Sequence, residues 1–505
     1  MTATDTSSAV SLVFTASGLS GPPRLQGLPG GGRLEEGYER TVEVTHSDTE
    51  DLRLLRAGWT LGRAVDPDAR EEWVLERPGA EPLRVPAEGA DVPAELLAQV
   101  RVHTRGHALT PVAHTQTTSS TTRLLGPDGA LRATVTTAAV SAQTLGSSTT
   151  VDSWYRITVE LARRDDELLA ALRERLDDVG ARPVDPEPPL RLLLGDQVPA
   201  PARAPRRIRK KSTAGDVLVA TLAGHVARLR DLDGQVRRDE PDAVHQMRVT
   251  VRTLRSALRS FRDVVDGAAT TEIGEELRWL GTDVLGASRD QEVVQERVER
   301  HLAATPADLV LGPVGARLSQ QFAREQVEAH ARTVAELDTD RYYALLDALD
   351  RLVADPPLTR VARKPAREVL PPLVAHAVRR VDRAVARIAE LPAGPERDES
   401  LHDARKAAKR ARYAADTLVP LVGDDAARTS ASMKAVQQLL GEHQDTVATR
   451  AFLRAQGGRG HLAGQNGFTY GLWYQQEAQA AERAAAELPA VHARTRGKKL
   501  RRWMR

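Results

Sequence analysis

Two segments in the second half of the chain each pair a histidine with a one-sided row of cations. The first runs H-Q-M-R-V-T-V-R-T-L-R-S-A-L-R-S-F from His245 to Phe261. At about 100° per residue, His245, Arg248, Arg252, Arg255 and Arg259 fall on one narrow helical face. The second, H-D-A-R-K-A-A-K-R-A-R-Y, places His402, Arg405, Lys406, Lys409, Arg412 and Tyr413 together in the same way. Like charges three and four residues apart weaken a helix, so a repeated arrangement of this kind points to a polyanion that neutralises it. Arginine offers a planar fork matched to phosphate oxygens, and lysine adds a compact charge. Residues seven apart on a helix stand about 10 Å apart, which suits a row of anionic groups better than one small anion. Few acids accompany the rows: Asp403 stands beside the second, and none lies between His245 and Arg262. The histidines can donate a hydrogen bond to phosphate, and a bound polyanion favours their charged form.

The remaining composition narrows the class. The chain has 505 residues, 41% hydrophobic and 4% aromatic, so it is globular with cores built from Leu, Val and Ala, and long enough for two to four domains. It has no cysteine, which excludes disulfides and thiolate metal sites and fits a cytoplasmic location. No apolar run is long enough to span a bilayer and no signal-peptide core is visible, so no membrane association is expected. The net charge of +2 hides a polarity. Residues 1–200 hold 20 Arg, no Lys and 29 Asp or Glu, a balance of roughly −9, which leaves roughly +11 for the rest. The anionic partner therefore belongs to the back half.

Along the chain, residues 1–33 read as a flexible Ser/Thr/Gly/Pro-rich segment with one possible strand at Ser11–Phe14. Residues 34–182 show short β-rich runs, such as Arg40–Val44, Glu72–Leu75, Leu131–Val135 and Tyr155–Leu161, then an amphipathic helix from Asp165 to Val179. Residues 183–211 read as a Pro-rich linker ending in the basic run Arg206, Arg207, Arg209, Lys210, Lys211, which is either a solvated linker or lies near the mouth of the anion site. Residues 212–505 are helical by pattern and contain a repeat, about 212–350 and 362–505. In it, a leading amphipathic helix (Asp216–Arg237, then Glu368–Ile388) precedes each His–cation helix. L-G-A-S-R-D at 285–290 matches L-G-E-H-Q-D at 440–445, with an offset near 155 residues. Two copies imply two similar helical bundles related by a pseudo-twofold axis, with the cation helices facing a shared groove. Asp290 and Asp445 recur in the repeat and fit a supporting role, orienting an arginine or lysine. No converging carboxylates for a metal are visible.

The doubled motif resembles the CHAD family, the conserved-histidine α-helical domain. The matching residues are V-H-Q-M-R-V-T-V-R-T-L-R-S-A-L-R-S-F, L-G-A-S-R-D, L-H-D-A-R-K-A-A-K-R-A-R-Y and L-G-E-H-Q-D, and the likeness covers nearly three fifths of the chain. It implies an all-α domain of two four-helix bundles around a basic groove that binds inorganic polyphosphate. The implied contacts are His245, Arg248, Arg252, Arg255, His402, Arg405, Lys406, Lys409, Arg412 and Tyr413, with recruitment to polyphosphate granules as a consequence. One departure is Thr253, where an arginine pair is common.

Residues 34–180 resemble a CYTH domain, the triphosphate tunnel metalloenzyme family, through H-S-D-T-E-D-L-R-L-L-R-A-G-W-T-L-G-R (46–63) and S-W-Y-R-I-T-V-E-L (153–161). The resemblance implies an eight-stranded closed antiparallel β tunnel whose glutamates hold divalent metal and whose Lys and Arg hold triphosphate. The equipment is largely gone. Ser11-Leu12-Val13-Phe14-Thr15 stands where E-x-E-x-K is expected, the strand from Trp154 to Leu161 keeps Glu160 alone of its glutamates, and Arg63 survives from a basic pair. The expectation is a multidomain α+β protein: a degenerate, non-catalytic CYTH-like tunnel followed by a polyphosphate-binding CHAD domain, with no cofactor. The alternatives are a metal-dependent triphosphatase dependent on Glu160, a nucleic-acid-binding module, disfavoured because the rows hold almost no aromatics for base stacking beyond Tyr413, and a structural helical protein whose rows pair with acids elsewhere. A protein partner of the front domain is not legible.

Overall fold

A computed structural model describes residues 10–19, 23–146, 149–184, 189–195, 198, 207–392 and 394–505. The chain divides into two compact units, Met1–Pro201 and Ala202–Arg505.

The first unit is an antiparallel sheet of ten strands with helices packed on it. The strands are β1 (Val10–Ala16), β2 (Arg33–Glu36), β3 (Arg40–Asp48), β4 (Thr60–Val65), β5 (Glu71–Arg77), β6 (Ala80–Pro86), β7 (Thr110–Leu125), β8 (Leu131–Thr144), β9 (Val151–Leu161) and β10 (Arg182–Val184). The hydrogen-bonded order is β10-β1-β9-β8-β7-β3-β4-β5-β6, with β2 also on β7. Its helices among the described residues are α1 (Arg53–Arg56), α2 (Ala94–Thr104), α3 (Asp166–Asp178) and α4 (Pro189–Leu194). Strands β7 and β8 are long and threonine-rich, which suits a β-branched, half-buried ladder. Their turn closes at Gly129, whose φ of 78° is in the region glycine tolerates.

Alternation gives the sheet two unlike faces. On one, Phe14, Val135, Ile157, Val159 and Leu161 pack against Leu168, Leu172 and Leu176 of α3. Leu61, Trp73 and Leu75 on that face pack against Leu96 and Val100 of α2. Register places Ser11 opposite Glu160, Val13 opposite Thr158 and Thr15 opposite Arg156 on the other face. Thr134 and Thr136 pair there with Glu160 and Thr158, and Arg123 and Thr121 of β7 continue the row.

Two sequence expectations are corrected here. The possible strand at Ser11–Phe14 is found within Val10–Ala16, and beyond it Leu25 and Leu28, read as part of a flexible segment, are buried in the α3 cluster. The linker does not begin at residue 183. Strand β10 reaches Val184, and Leu190, Leu193, Leu194 and Val198 are buried with Trp154, Val140, Ala142, Ala113, Leu52 and Leu55. Prolines mask this in the sequence, but Leu190, Leu193 and Leu194 have the spacing of a one-sided apolar helix face.

The second unit is helical. Its elements are α5 (Ala214–Arg237), α6 (Ala243–Ser260), α7 (Thr271–Trp279), α8 (Gly286–Ala304), α9 (Val314–Leu337), α10 (Asp340–Ala354), α11 (Ala366–Ala389), α12 (Pro395–Thr417), α13 (Val419–Val422), α14 (Asp424–Leu462), α15 (Phe468–Arg494) and α16 (Lys498–Arg501). The repeat is real in three dimensions, because counterparts touch: α5 meets α11, α6 meets α12 and α8 meets α14. At the helix starts, the Ala214 amide donates to the Lys364 carbonyl (2.9 Å) and the Ala366 amide donates to the Ser212 carbonyl (3.0 Å). Each donor and each acceptor is matched by a residue 152 positions away, the reciprocity that a twofold relation requires. Both copies share one core, in which Val298, Leu318 and Phe322 pack with Leu453, Tyr470 and Trp473. The copies differ in one respect. Helix α14 is continuous, whereas its counterpart breaks into α7, a π-helical turn at Leu280–Val284, and α8. Gly281 permits the break to sit against α6, because a Cβ there would lie 3.1 Å from Val251. No helix among the described residues is long and apolar enough to cross a membrane.

Candidate functional site

Helix α6 buries Met247, Val251, Leu254 and Leu258 and turns its cation row away from that face. Thr253 is buried and its hydroxyl donates to the Val249 carbonyl (2.9 Å), so this departure from the family pattern sits on the core side of α6. Helix α12 buries Leu401, Ala404, Ala408, Ala411 and Ala415. Its alanine seam keeps side-chain bulk low where α6, α11 and α14 pack on it.

The two rows meet. Burial first, then the charges of Arg248, Arg405 and Arg412, push the Arg252 guanidinium down, against an opposing effect of Tyr413. Lys409 is driven from its ordinary range to about 7, by burial first and then by Arg405, Arg252 and Arg248. Residues of α6 and α12 thus share one poorly solvated space. Burial, then Arg259 and Arg278, lowers Arg255 as well. Among the described residues, the buried Nε atoms of Arg252 and Arg405 have no hydrogen-bond partner.

The L-G-E-H-Q-D motif on α14 props the α12 row from behind. His402 Nδ1 donates to Gln444 Oε1 (2.9 Å), which leaves the ring's other nitrogen to face elsewhere. Burial and then Lys406 lower the His402 pKa, with the Gln444 bond acting against them. Arg405 Nη2 lies 3.8 Å from Asp445 Oδ1. Gly441 makes room for that guanidinium, since a Cβ there would stand 3.2 Å from Nη2. Asp445 is itself pushed up by burial, with Arg405, Arg297 and Lys409 opposing. Lys406 reaches Asp403 (3.2 Å), and Arg412 contacts Gln437 (3.2 Å) and Asp416 (3.6 Å). The Arg412 guanidinium carbon is 5.5 Å from the centre of the buried Tyr413 ring. On the α12 row, Arg405, Lys406 and Arg412 thus each meet a carboxylate. Arg252, Arg255 and Arg259 make no ion pair among the described residues.

Of the other sequence candidates, the side chain of Asp290 and all of Arg206 lie outside the described residues. Lys210 and Lys211 are exposed in the turn before α5, and no bond, ion pair or charge coupling among the described residues links them to α6 or α12. In the first unit, Arg63 pairs with Glu71 and Glu160 pairs in register with Ser11 and Thr134, so these two residues stand on strands far apart in the sheet order.

Sequence reasoning missed a further set of cations. A cavity of about 420 Å³ between α6, α11 and α12 is lined by Arg259, Arg262, His376, Arg379, Arg380 and Arg410. The signal was present as H-A-V-R-R-V-D-R from His376 to Arg383, a third row with the same spacing.

Two cation rows brought together in a doubled helical unit define a class: an all-α repeat domain, which here follows an antiparallel sheet consistent with a CYTH-like tunnel. The CHAD domain family profile matches residues 220–454. The Mycobacterium tuberculosis protein Rv2226 is 34% identical over 500 residues, covering 93% of this chain and 92% of its own length. Residues 220–454 are therefore a CHAD domain, and the chain belongs to the same family as Rv2226. Similar solved structures are PptA from Streptomyces chartreusis (21% identity, covering 55% of this chain and 99% of that one, TM-score 0.46) and the CHAD domain from the plant Ricinus communis (24% identity, covering 60% and 95%, TM-score 0.39).

Proposed function

We propose that the helical unit binds inorganic polyphosphate in the groove between α6 and α12, through His245, Arg248, Arg252, Arg255, Arg259, His402, Arg405, Lys406, Lys409, Arg412 and Tyr413. The observation that carries this reading is the convergence of Arg248 and Arg252 of α6 with Arg405 and Lys409 of α12 in one poorly solvated space, where burial first and then these cations bring Lys409 down to about 7. Such an arrangement costs the unliganded fold stability and is relieved by a dense linear anion. The mechanism is charge neutralisation with release of counterions, so affinity falls steeply with salt and rises with chain length. Asp445, Gln444 and Gly441 hold Arg405 and His402 in place. Recruitment of the cytoplasmic protein to polyphosphate granules follows from the binding.

The first unit acts without catalysis in this reading. Where the related tunnel enzymes carry acids and a lysine, the face opposite α3 presents Ser11, Val13, Thr15 and Thr158, and Arg156 and Glu160 are its charges on β1 and β9. Among the described residues, no group of carboxylates there could hold a pair of metal ions. The test is calorimetric titration of the full chain with long-chain polyphosphate, beside a folded Arg248→Ala, Arg252→Ala, Arg405→Ala, Lys409→Ala variant. Tight binding lost in the variant supports the groove. Binding that the variant retains in full overturns it.

A further inference from the structure

The basic surface does not stop at the α6–α12 groove. On α11, His376, Arg379, Arg380 and Arg383 repeat the spacing of His402, Arg405, Lys406 and Lys409, so they too occupy one helical face. Helix α11 packs on α12 and touches α6. The cavity of about 420 Å³ described above lies among these three helices. An open surface depression of about 460 Å³ beside it is lined by His376, Arg380 and Arg383. The two share His376 and Arg380 and so form one trough. It begins where the groove ends, because Arg259, last of the α6 row, lines it.

Cations near a helix C-terminus are favourable on their own account. That explains Arg259 and Arg262 and fails for Arg379, Arg380, Arg383 and Arg410, which stand in helix interiors. Asp263 is the carboxylate in the lining, and among the described residues none of the trough arginines is ion-paired. Burial first, then Arg259 and Arg380, pushes the Arg410 guanidinium down, the same signature of crowded positive charge found in the groove. No Phe, Tyr or Trp lines the cavity, so it offers no platform for nucleobases.

We propose that this trough is a second site for linear condensed phosphate, continuous with the groove, which holds the outgoing segment of a chain whose other segment lies between α6 and α12. The inference rests on the groove reading above. A chain long enough to occupy both tracks gains avidity that a short one cannot. The protein then selects for long polymers by geometry.

The experiment titrates the full chain with tripolyphosphate and with long-chain polyphosphate at two salt concentrations. It compares wild type, an Arg380→Ala, Arg383→Ala trough variant, its Arg380→Lys, Arg383→Lys counterpart, and an Arg252→Ala, Lys409→Ala groove variant, all matched for unfolding midpoint. The trough variant is expected to bind tripolyphosphate as wild type does and long chains about tenfold or more weaker. The lysine counterpart is expected to recover most of that loss. The groove variant should lose both ligands. Long-chain affinity and salt slope unchanged in the trough variant would overturn the second site while leaving the groove intact. A wild type that binds neither phosphate would instead remove the groove reading. Displacement of polyphosphate by single-stranded DNA at equal charge, lost in the trough variant, would overturn the assignment of the ligand.

Discussion

Nη2 of Arg405 stands 3.8 Å from Oδ1 of Asp445, and the same carboxylate acts on Lys409 one turn further along α12. One acid on α14 therefore offsets two cations of a row that otherwise repels itself. Because burial already disfavours the ionised carboxylate, outweighing its attraction to these cations, the substitution Asp445→Asn is expected to leave the unliganded unfolding midpoint unchanged or slightly raised. Polyphosphate should then stabilise the variant by more than it stabilises wild type, since the ligand supplies the missing counter-charge. Thermal melts with and without ligand check this, and an equal or smaller ligand-induced shift would refute it.

The pH dependence follows from Lys409. Its folded-state pKa, about 7, lies below the ordinary 10.5. Between those values the unfolded chain binds more protons, so the Lys409 contribution makes unliganded stability rise with pH across that window. Binding works the other way. A polyanion favours the charged amine and raises its pKa, so affinity tightens as pH falls from about 9 towards 7, by at most about tenfold per unit for one proton. Calorimetry in buffers of different ionisation heat should show proton uptake near pH 8. In Lys409→Arg the uptake should vanish.

Salt dependence counts the contacts. For a single-stranded polyanion the slope of log affinity against log salt is about −0.7 per phosphate neutralised. Removing Arg248, Arg252, Arg405 and Lys409 should flatten the slope by about 3. An unchanged slope would place the binding elsewhere on the protein.

A buried ion cluster ties the two repeats behind the α12 row. Arg297 on α8 reaches Glu477 on α15 (2.6 Å) and Glu442 on α14 (2.8 Å), and His301 Nε2 lies 2.5 Å from Glu477. Arg297 and Glu477 are both buried. Glu477→Ala leaves the guanidinium without its main partner and should cost about 3–5 kcal/mol by urea unfolding. Polyphosphate affinity of the folded variant should be unchanged, which separates stability from binding.

The tunnel reading has its own assay. Inorganic triphosphate incubated with the full chain and Mg²⁺ or Mn²⁺ should release no phosphate above background, and Glu160→Ala should make no difference. Metal-dependent release abolished by that substitution would restore the enzyme reading.

By itself the sequence determined the periodic features. Cation rows at three- and four-residue spacing name a helix face whatever packs against it, and the repeat of H-x2-R and L-G-x3-D announced a doubled helical unit. The alternation at Tyr155–Leu161 and the 3.6-residue period of Asp165–Val179 announced a sheet with a helix on one side, found as β9 and α3. These are local rules, set by backbone geometry within a few residues. What meets what across space was decided by tertiary packing. Periodicity shows that His376, Arg379, Arg380 and Arg383 share a face, but not that the face turns towards Arg410 and Arg259. Nor could it show that Asp445 pairs with Arg405, forty residues earlier in the chain. Leu190, Leu193 and Leu194 looked like linker because a six-residue helix has too short a period to stand out among prolines. They are core because Trp154 and Val140 leave apolar surface that water would otherwise cover.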